Sequence, residues 1–303
     1  MRALEKRNLG RTGYQATFCG FGTVEIGRDA GLGQGDQIKR PSAQKAGQML
    51  NAVLDVGINL IDTARAYHAS EERIGEFIAA RRHEYFLASK CGEHSDEPRT
   101  YYDFSYRAVK DSIDQTLERL NTDRVDLMQI HFGPDPRKVL EDGETLRAMK
   151  EARDEGKVRF LGASTAGEVA RRCIESGEFD VMQLDYSLLD HRDEELVDLC
   201  GRQGIGVLIR GGLGYGALTP RVVNNLELLT TDVRRKVESL LELVDGDPER
   251  LIALALRFIY RNQNVTSVLI GTRNAAHLKQ NLELLDGELD ESLLERAVRL
   301  KMT

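Results

Sequence analysis

The stretch Gly57-Ile58-Asn59-Leu60-Ile61-Asp62-Thr63-Ala64-Arg65-Ala66-Tyr67 decides how this chain is read. A short apolar run stops abruptly on an aspartate, and a tyrosine follows five residues later. Two later runs have the same shape: Phe86-Leu87-Ala88-Ser89-Lys90 ends on a lysine, and Asp126-Leu127-Met128-Gln129-Ile130-His131 ends on a histidine. Short apolar runs of this kind read as strands buried in a parallel sheet. Neighbouring parallel strands deliver their last residues to the same end, so Asp62, Lys90 and His131 are expected to converge, with Tyr67 in the loop just beyond.

Working outward, strand-like runs at residues 18–22, 59–62, 85–90, 125–131, 159–164, 181–184, 206–210 and 267–270 alternate with segments of helical spacing. Val109, Ile113, Leu117 and Leu120 repeat behind a cap at Ser105, and Leu251, Leu254, Leu256, Phe258 and Ile259 follow Asp247-Pro248. Eight strands with intervening helices in 303 residues predict an α/β fold closed into a (β/α)8 TIM barrel, one domain spanning residues 1–303. Residues 7–17, with Gly10-Arg11-Thr12-Gly13, predict an N-terminal β-hairpin closing the barrel floor. Two Gly-rich connections, 24–42 (Gly27, Gly31, Gly33, Gly35) and 211–234 (Gly211, Gly212, Gly214, Gly216), are expected as lids or pocket walls.

Composition narrows the function classes. A net charge of −7 argues against nucleic acid as a partner. No apolar run is long enough to span a bilayer, and Met1–Arg7 has no apolar signal core, so no membrane partner and a cytoplasmic location are expected. Cys19, Cys91, Cys173 and Cys200 form no CxxC pair and no zinc spacing, so reduced thiols and no metal site are expected.

The chemistry rests on the four converging side chains. A free phenol is a poor acid at neutral pH, and an ammonium close by stabilises its phenolate. Asp62 can hold Lys90 in place and keep it charged, while His131 can donate to a substrate oxygen or relay the proton. The set suits general acid catalysis at a carbonyl receiving hydride, with Tyr67 as donor. Taken singly, Asp62 and Lys90 read equally as a structural ion pair, His131 as a core histidine and Tyr67 as a surface aromatic; the joint pattern carries the assignment. Hydride needs a cofactor, and no complete GxGxxG is present. Ser267-Val268-Leu269-Ile270-Gly271-Thr272-Arg273-Asn274 instead ends a strand in glycine and opens into a helix whose face carries Leu278, Leu282 and Leu285. That pattern suits an anion site, with Arg273 as a permanently charged fork, and taken alone it reads also as an ordinary capped helix with a surface Arg.

With these motifs in order, the chain resembles an aldo-keto reductase over nearly its whole length. The likeness is carried by Gly57–Ala64, Tyr67-His68-Ala69-Ser70-Glu71, Ala88-Ser89-Lys90, Asp123–Leu127 leading to His131, Gly156-Lys157-Val158-Arg159, Gly162-Ala163-Ser164, Gln183-Leu184-Asp185-Tyr186, and Ile270-Gly271-Thr272-Arg273 through Asn281. The resemblance implies a barrel that binds NADPH or NADP+ extended, without a Rossmann domain. It implies Tyr67 as proton donor, Lys90 as the ammonium beside it, Asp62 as its partner and His131 as the group orienting the carbonyl. It assigns the nicotinamide carboxamide to Ser164 and Gln183, the 2′-phosphate to Gly271, Thr272 and Arg273, and the adenine to Gln280 and Asn281. Further cofactor contacts fall on Gly22, Thr23, Asp62, Arg210, Gly211, Gly212, Leu213 and His277.

The chain also departs from the family pattern. Thr165 stands where the family often has Asn, and Arg210-Gly211-Gly212-Leu213 replaces Tyr-Ser-Pro-Leu, so Arg210 stands in for the stacking tyrosine. The loop past His131 has one extra residue, and the short tail after Asn281 implies no long C-terminal lid.

The leading expectation is NADPH-dependent reduction of a small-molecule aldehyde or ketone. Two alternatives stand beside it: oxidation of a sugar hemiacetal or alcohol with NAD(P)+, and a cofactor-binding regulatory or scaffold subunit with little turnover. Val24, Tyr101, Tyr102 and Phe132 are expected to line the substrate pocket. The acidic residues in the loop with His94, Asp96 and Glu97 read as solvated rather than functional.

Overall fold

The computed structural model of the protein describes residues 1–32 and 38–300; Gly33 and Gly35 of the first Gly-rich connection lie outside the described residues. The chain forms β1 (Lys6–Asn8), β2 (Gln15–Thr17), β3 (Cys19–Gly22), β4 (Leu60–Asp62), β5 (Phe86–Cys91) and β6 (Glu93–Asp96). It continues with β7 (Arg99–Tyr102), β8 (Val125–His131), β9 (Val158–Ser164), β10 (Val181–Asp185), β11 (Gly206–Arg210) and β12 (Ser267–Ile270). Strands β3, β4, β5, β8, β9, β10, β11 and β12 pair in parallel in that order, and β12 returns to β3 through Val268 opposite Cys19. The result is the closed eight-stranded barrel that the alternating pattern predicts.

Parallel neighbours need crossovers, and helices supply them on the outside. The helix Tyr106–Leu120 is capped by Ser105, whose side chain accepts from Ala108 N, and it buries Val109, Ile113 and Leu120. The helix Pro248–Arg261 starts on Asp247, whose carboxylate accepts from the backbone N–H of Glu249 and Arg250. Both starts match the expected caps. The main core lies between the outward strand faces and these helices. A smaller core fills the barrel itself: Leu60, Phe86, Ala88, Leu127, Val181 and Leu208 meet Leu9 and Ala16 from below.

Leu9 and Ala16 come from the antiparallel β1–β2 hairpin, which closes the barrel floor as expected. Gly10 makes that closure possible. Its φ is +51°, and a Cβ there would stand 2.1 Å from the backbone N of Gly206, far inside any tolerable contact.

Two segments differ from expectation. The segment after β5 is not a plain loop: β6 and β7 form a second antiparallel hairpin, Asp96 and Glu97 are exposed as expected, and His94 is buried with its ring stacked 5.0 Å from that of Tyr101. The polar letters of Glu93-His94-Ser95-Asp96 hide the strand because the hairpin stands against the barrel rim rather than in a core. The connection 211–234 is also more ordered than its glycines suggest, with short helices Gly214–Gly216, Pro220–Val223 and Leu226–Leu228 before a long helix, Thr231–Leu243.

Leu127 is fully buried within the barrel interior. Leu127→Ala is expected to cost about 2–5 kcal/mol, read as a lower urea midpoint; an unchanged midpoint would show that this interior does not support the barrel.

Candidate active site

Inside the C-terminal mouth of the barrel lies a buried ion pair. Lys90 is 1% exposed and Asp62 2%. Lys90 Nζ donates to Asp62 Oδ2 at 2.5 Å and to the Thr63 carbonyl at 2.9 Å. The other carboxylate oxygen, Asp62 Oδ1, accepts from Gln129 Nε2 and from Gln183 Nε2, each at 2.9 Å. Buried charges persist only when paired and hydrogen-bonded. Burial works against the Lys90 ammonium, but Asp62, and after it Tyr67, outweigh burial and hold the lysine above its ordinary range.

Tyr67 is brought over this pair by a pinned loop. Thr23 donates to the Asp62 carbonyl through both its backbone N and its hydroxyl, at 3.0 and 2.9 Å. Ser70 Oγ donates to Thr23 Oγ1 at 2.7 Å and lies 2.9 Å from Thr63 Oγ1. Ser70 is the first residue of the helix Ser70–Ile78, and its hydroxyl ties the loop to the barrel. Gly27 lies so close that a Cβ would meet the Tyr67 carbonyl at 2.1 Å. The Tyr67 ring centroid then sits 4.9 Å from Lys90 Nζ and 6.1 Å from the His131 ring, edge to face. The expected convergence of Asp62, Tyr67, Lys90 and His131 is therefore present as geometry.

His131 has a partner that the sequence reading missed. Its Nδ1 stands 2.8 Å from Oε2 of Glu93, on β6. Burial pushes the His131 proton affinity down; Glu93 opposes this, and the Lys90 charge reinforces it, with a net downward direction. Burial alone would raise the Glu93 carboxyl, but His131 overrides it and Glu93 settles at about 2.

Arg210 ends β11 and is also engaged. Its Nε and Nη2 donate to Asp185 Oδ1 and Oδ2 at 3.1 and 2.9 Å, and its Nη1 donates to Ser164 Oγ at 2.7 Å. Burial disfavours the guanidinium charge, but Asp185 more than compensates and holds Arg210 above its usual range. Tyr215 donates its hydroxyl to the same carboxylate.

One cavity of about 880 Å3 joins these groups, within the range of small-molecule and cofactor sites. Asp62, Tyr67 and His131 line it near the barrel axis, with Gly22, Thr23, Gln183, Arg210, Gly211 and Leu213. It reaches Gly271, Thr272, Arg273, His277, Gln280 and Asn281 at the start of the helix Ala275–Asp286, and no residue beyond Asn281 lines it among the described residues. Ser164 stays behind this wall, bonded to Gln183 Oε1 and Arg210. Gly212 is buried against Val268 and Ile259 rather than facing the cavity.

Of the residues expected at the substrate, Val24 lines the cavity, but Tyr101, Tyr102 and Phe132 are not among its lining residues. Tyr101 and Tyr102 sit exposed on the second hairpin, where Tyr102 stacks with Phe104 at 5.9 Å and covers Gly133. Glu25, Arg28, Leu32, Tyr215, Arg221 and Ile252 line the cavity instead.

The far end is charged. Arg273 Nε lies 3.4 Å from Glu25 Oε2, and its Nη1 donates to the Lys39 carbonyl. Beyond it, Lys39, Arg40 and Lys45 surround a smaller depression that shares Arg273. A cavity with Tyr67 and His131 among its lining residues and Arg273 also on its wall has the size and charge to take a dinucleotide.

Comparison with known proteins agrees with this fold. The model of the Aldo/keto reductase family matches residues 19–300. L-galactose dehydrogenase of Arabidopsis thaliana is 28% identical, over 93% of this chain and 88% of that protein. NADH-specific methylglyoxal reductase of Escherichia coli is 25% identical, over 95% and 96%. The holo form of an aldo-keto reductase from Bacillus halodurans superposes with a TM-score of 0.80 at 26% identity, covering 98% of this chain and 96% of that one.

Removing one partner of the central pair leaves a charge buried alone. Asp62→Ala is expected to destabilise the protein by about 3–5 kcal/mol, seen as a large drop in Tm, whereas replacing both partners by apolar residues restores most of the loss. A double variant destabilised by the sum of the two single losses would mean that the pair is not coupled.

Proposed function

We propose, from the premise that this chain belongs to the aldo/keto reductase family of oxidoreductases, that it reduces aldehydes or ketones to alcohols with NADPH and uses Tyr67 as the proton donor. The carrying observation is that Tyr67 and His131 share one cavity with Arg273, while the buried Lys90–Asp62 pair stands directly behind Tyr67. In this reading the whole chain works as one barrel domain.

A bound nicotinamide supplies or takes the hydride at the substrate carbon. The protein's own part is to hold the reactants and move the proton. Tyr67 gives its phenolic proton to the carbonyl oxygen as negative charge develops there, and the Lys90 ammonium stabilises the phenolate left behind. Asp62 keeps that ammonium charged and fixed. His131 faces the same oxygen. Gln183 and Arg210 are assigned to the nicotinamide amide and ring in this reading; Gln183 already spends one amide N–H on Asp62, leaving its second donor for a ligand.

Arg273 supports NADPH over NADH, helped by Lys39, Arg40 and Lys45 beyond it. Glu25 tempers that preference. A 2′-phosphate has to draw Arg273 from this carboxylate, whereas a 2′-hydroxyl can donate to it. A second reading, oxidation of a sugar hemiacetal or other alcohol, uses the same residues in reverse and draws support from the dehydrogenase among the relatives.

Tyr67→Phe is expected to lower carbonyl reduction by roughly 10²–10⁴-fold while NADPH binding, followed by fluorescence, is retained. Undiminished turnover would remove Tyr67 from its role. For the cofactor, Arg273→Ala is expected to weaken NADPH by roughly 10- to 100-fold and NADH little, and Glu25→Gln to tighten NADPH while weakening NADH. Parallel changes for both dinucleotides would contradict the phosphate assignment.

A further inference from the structure

Glu93 stands outside the four residues of the proposed reaction, yet its carboxylate lies 2.8 Å from His131 Nδ1. It is 8% exposed and projects from β6, three residues beyond Lys90. A carboxylate has no proton to give at neutral pH, so it only accepts. A ring nitrogen 2.8 Å away meets it favourably only if that nitrogen carries the proton; two lone pairs facing each other at that distance would repel. Nδ1 is itself buried and, with the ring as placed, is not aligned for a linear hydrogen bond to any group. Glu93 is the only acceptor whose contact with it is described. Nε2 is then the nitrogen left to the cavity that His131 lines.

We infer that Glu93 is a positioning residue that fixes His131 with its proton on Nδ1 and its Nε2 lone pair toward the cavity, so that uncharged His131 accepts a hydrogen bond from a bound hydroxyl rather than donating one to a bound carbonyl. The inference rests on the oxidoreductase reading and sharpens its question of direction. The neutral site grips an alcohol or hemiacetal hydroxyl. For oxidation that hydroxyl turns its one proton from Nε2 to a Tyr67 phenolate stabilised by Lys90, hydride would leave the carbinol carbon for a bound NAD(P)+, and His131 keeps its single proton on Nδ1. Gripping a carbonyl oxygen instead requires a second proton, on Nε2.

The groups around this ring are Glu93 from β6, Lys90 from β5, Asp62 from β4 with Tyr67 in the loop after it, and Arg210 from β11. Arg28 and Tyr102 bear on Glu93. Lys90 and Arg210 disfavour the imidazolium, and Glu93 favours it. Reduction therefore falls as pH rises through the His131 ionisation, and oxidation rises. Without the carboxylate, the ionisation moves to lower pH.

The test is the pH dependence of kcat/KM in both directions for the full-length enzyme and Glu93→Gln. The expected result is that both limbs shift down by roughly 1–3 pH units. A variant that loses rate at every pH with unshifted limbs would overturn the inference, because a purely structural role predicts that. Nitrogen-15 NMR of histidine-labelled wild type, with the His131 signal identified by its absence in His131→Asn, decides the matter even if Glu93→Gln does not fold. The Nδ1–H tautomer is expected, and an Nε2–H tautomer would overturn it. If the enzyme turns over no carbonyl or alcohol, the oxidoreductase reading fails, while the tautomer measurement still judges Glu93 separately.

Discussion

The rest of this site depends on keeping one ammonium charged inside a barrel. Removing Lys90 and Asp62 from water costs several kcal/mol per ion, and attraction between them offsets that only with good geometry and full hydrogen bonding. Both conditions are met by side chains from different strands. Asp62 from β4 faces Lys90 from β5, and its second oxygen is satisfied by Gln129 from β8 and Gln183 from β10. A slip of one residue in any of these strands would turn its polar side chain to the opposite face. The parallel register is therefore what makes the buried charge tolerable, and the charge is what gives Tyr67 a cationic neighbour.

Around this centre, charges are arranged in opposed pairs rather than as one field. Glu93 faces His131, Asp185 clasps Arg210, and Glu25 meets Arg273 along the length of the cavity. Each pair fixes the direction of a side chain that would otherwise sample several rotamers. Arg210 is the clearest case. With three donors committed to Asp185 and Ser164, its guanidinium is held as a fixed wall of the cavity, which suits a surface against which a flat ring can lie.

Much of this was legible in the sequence because strand ends are where a parallel barrel exposes its chemistry. The alternation of runs predicts the barrel and hairpin floor, and the last residues of three runs predict the meeting of Asp62, Lys90 and His131. Gln129 escaped notice although the rule that finds it is simple: it lies two residues before His131, so it shares the inward face of β8. Asp185 and Glu93 were harder. Their importance comes from partners 25 and 38 residues away, and no local pattern marks such pairings. Tyr101 and Tyr102 misled for the opposite reason. Aromatic letters in a loop near the site suggest a pocket wall, but the β6–β7 hairpin turns Tyr102 onto Gly133 and leaves Tyr101 outward. The charged loop residues at the far end, Glu25 and Arg28, gave no signal apart from the fold that brings them to the cavity.

The account stands most directly on the claim that the Lys90 ammonium enables proton transfer while hydride moves to the substrate carbon. The decisive measurement follows deuterium from the 4-position of labelled NADPH into the alcohol product by mass spectrometry, in wild type and in Lys90→Met. The account predicts one deuterium on the carbinol carbon in wild type and a large loss of transfer in Lys90→Met with cofactor still bound. Transfer at the wild-type rate without the lysine amine would contradict it.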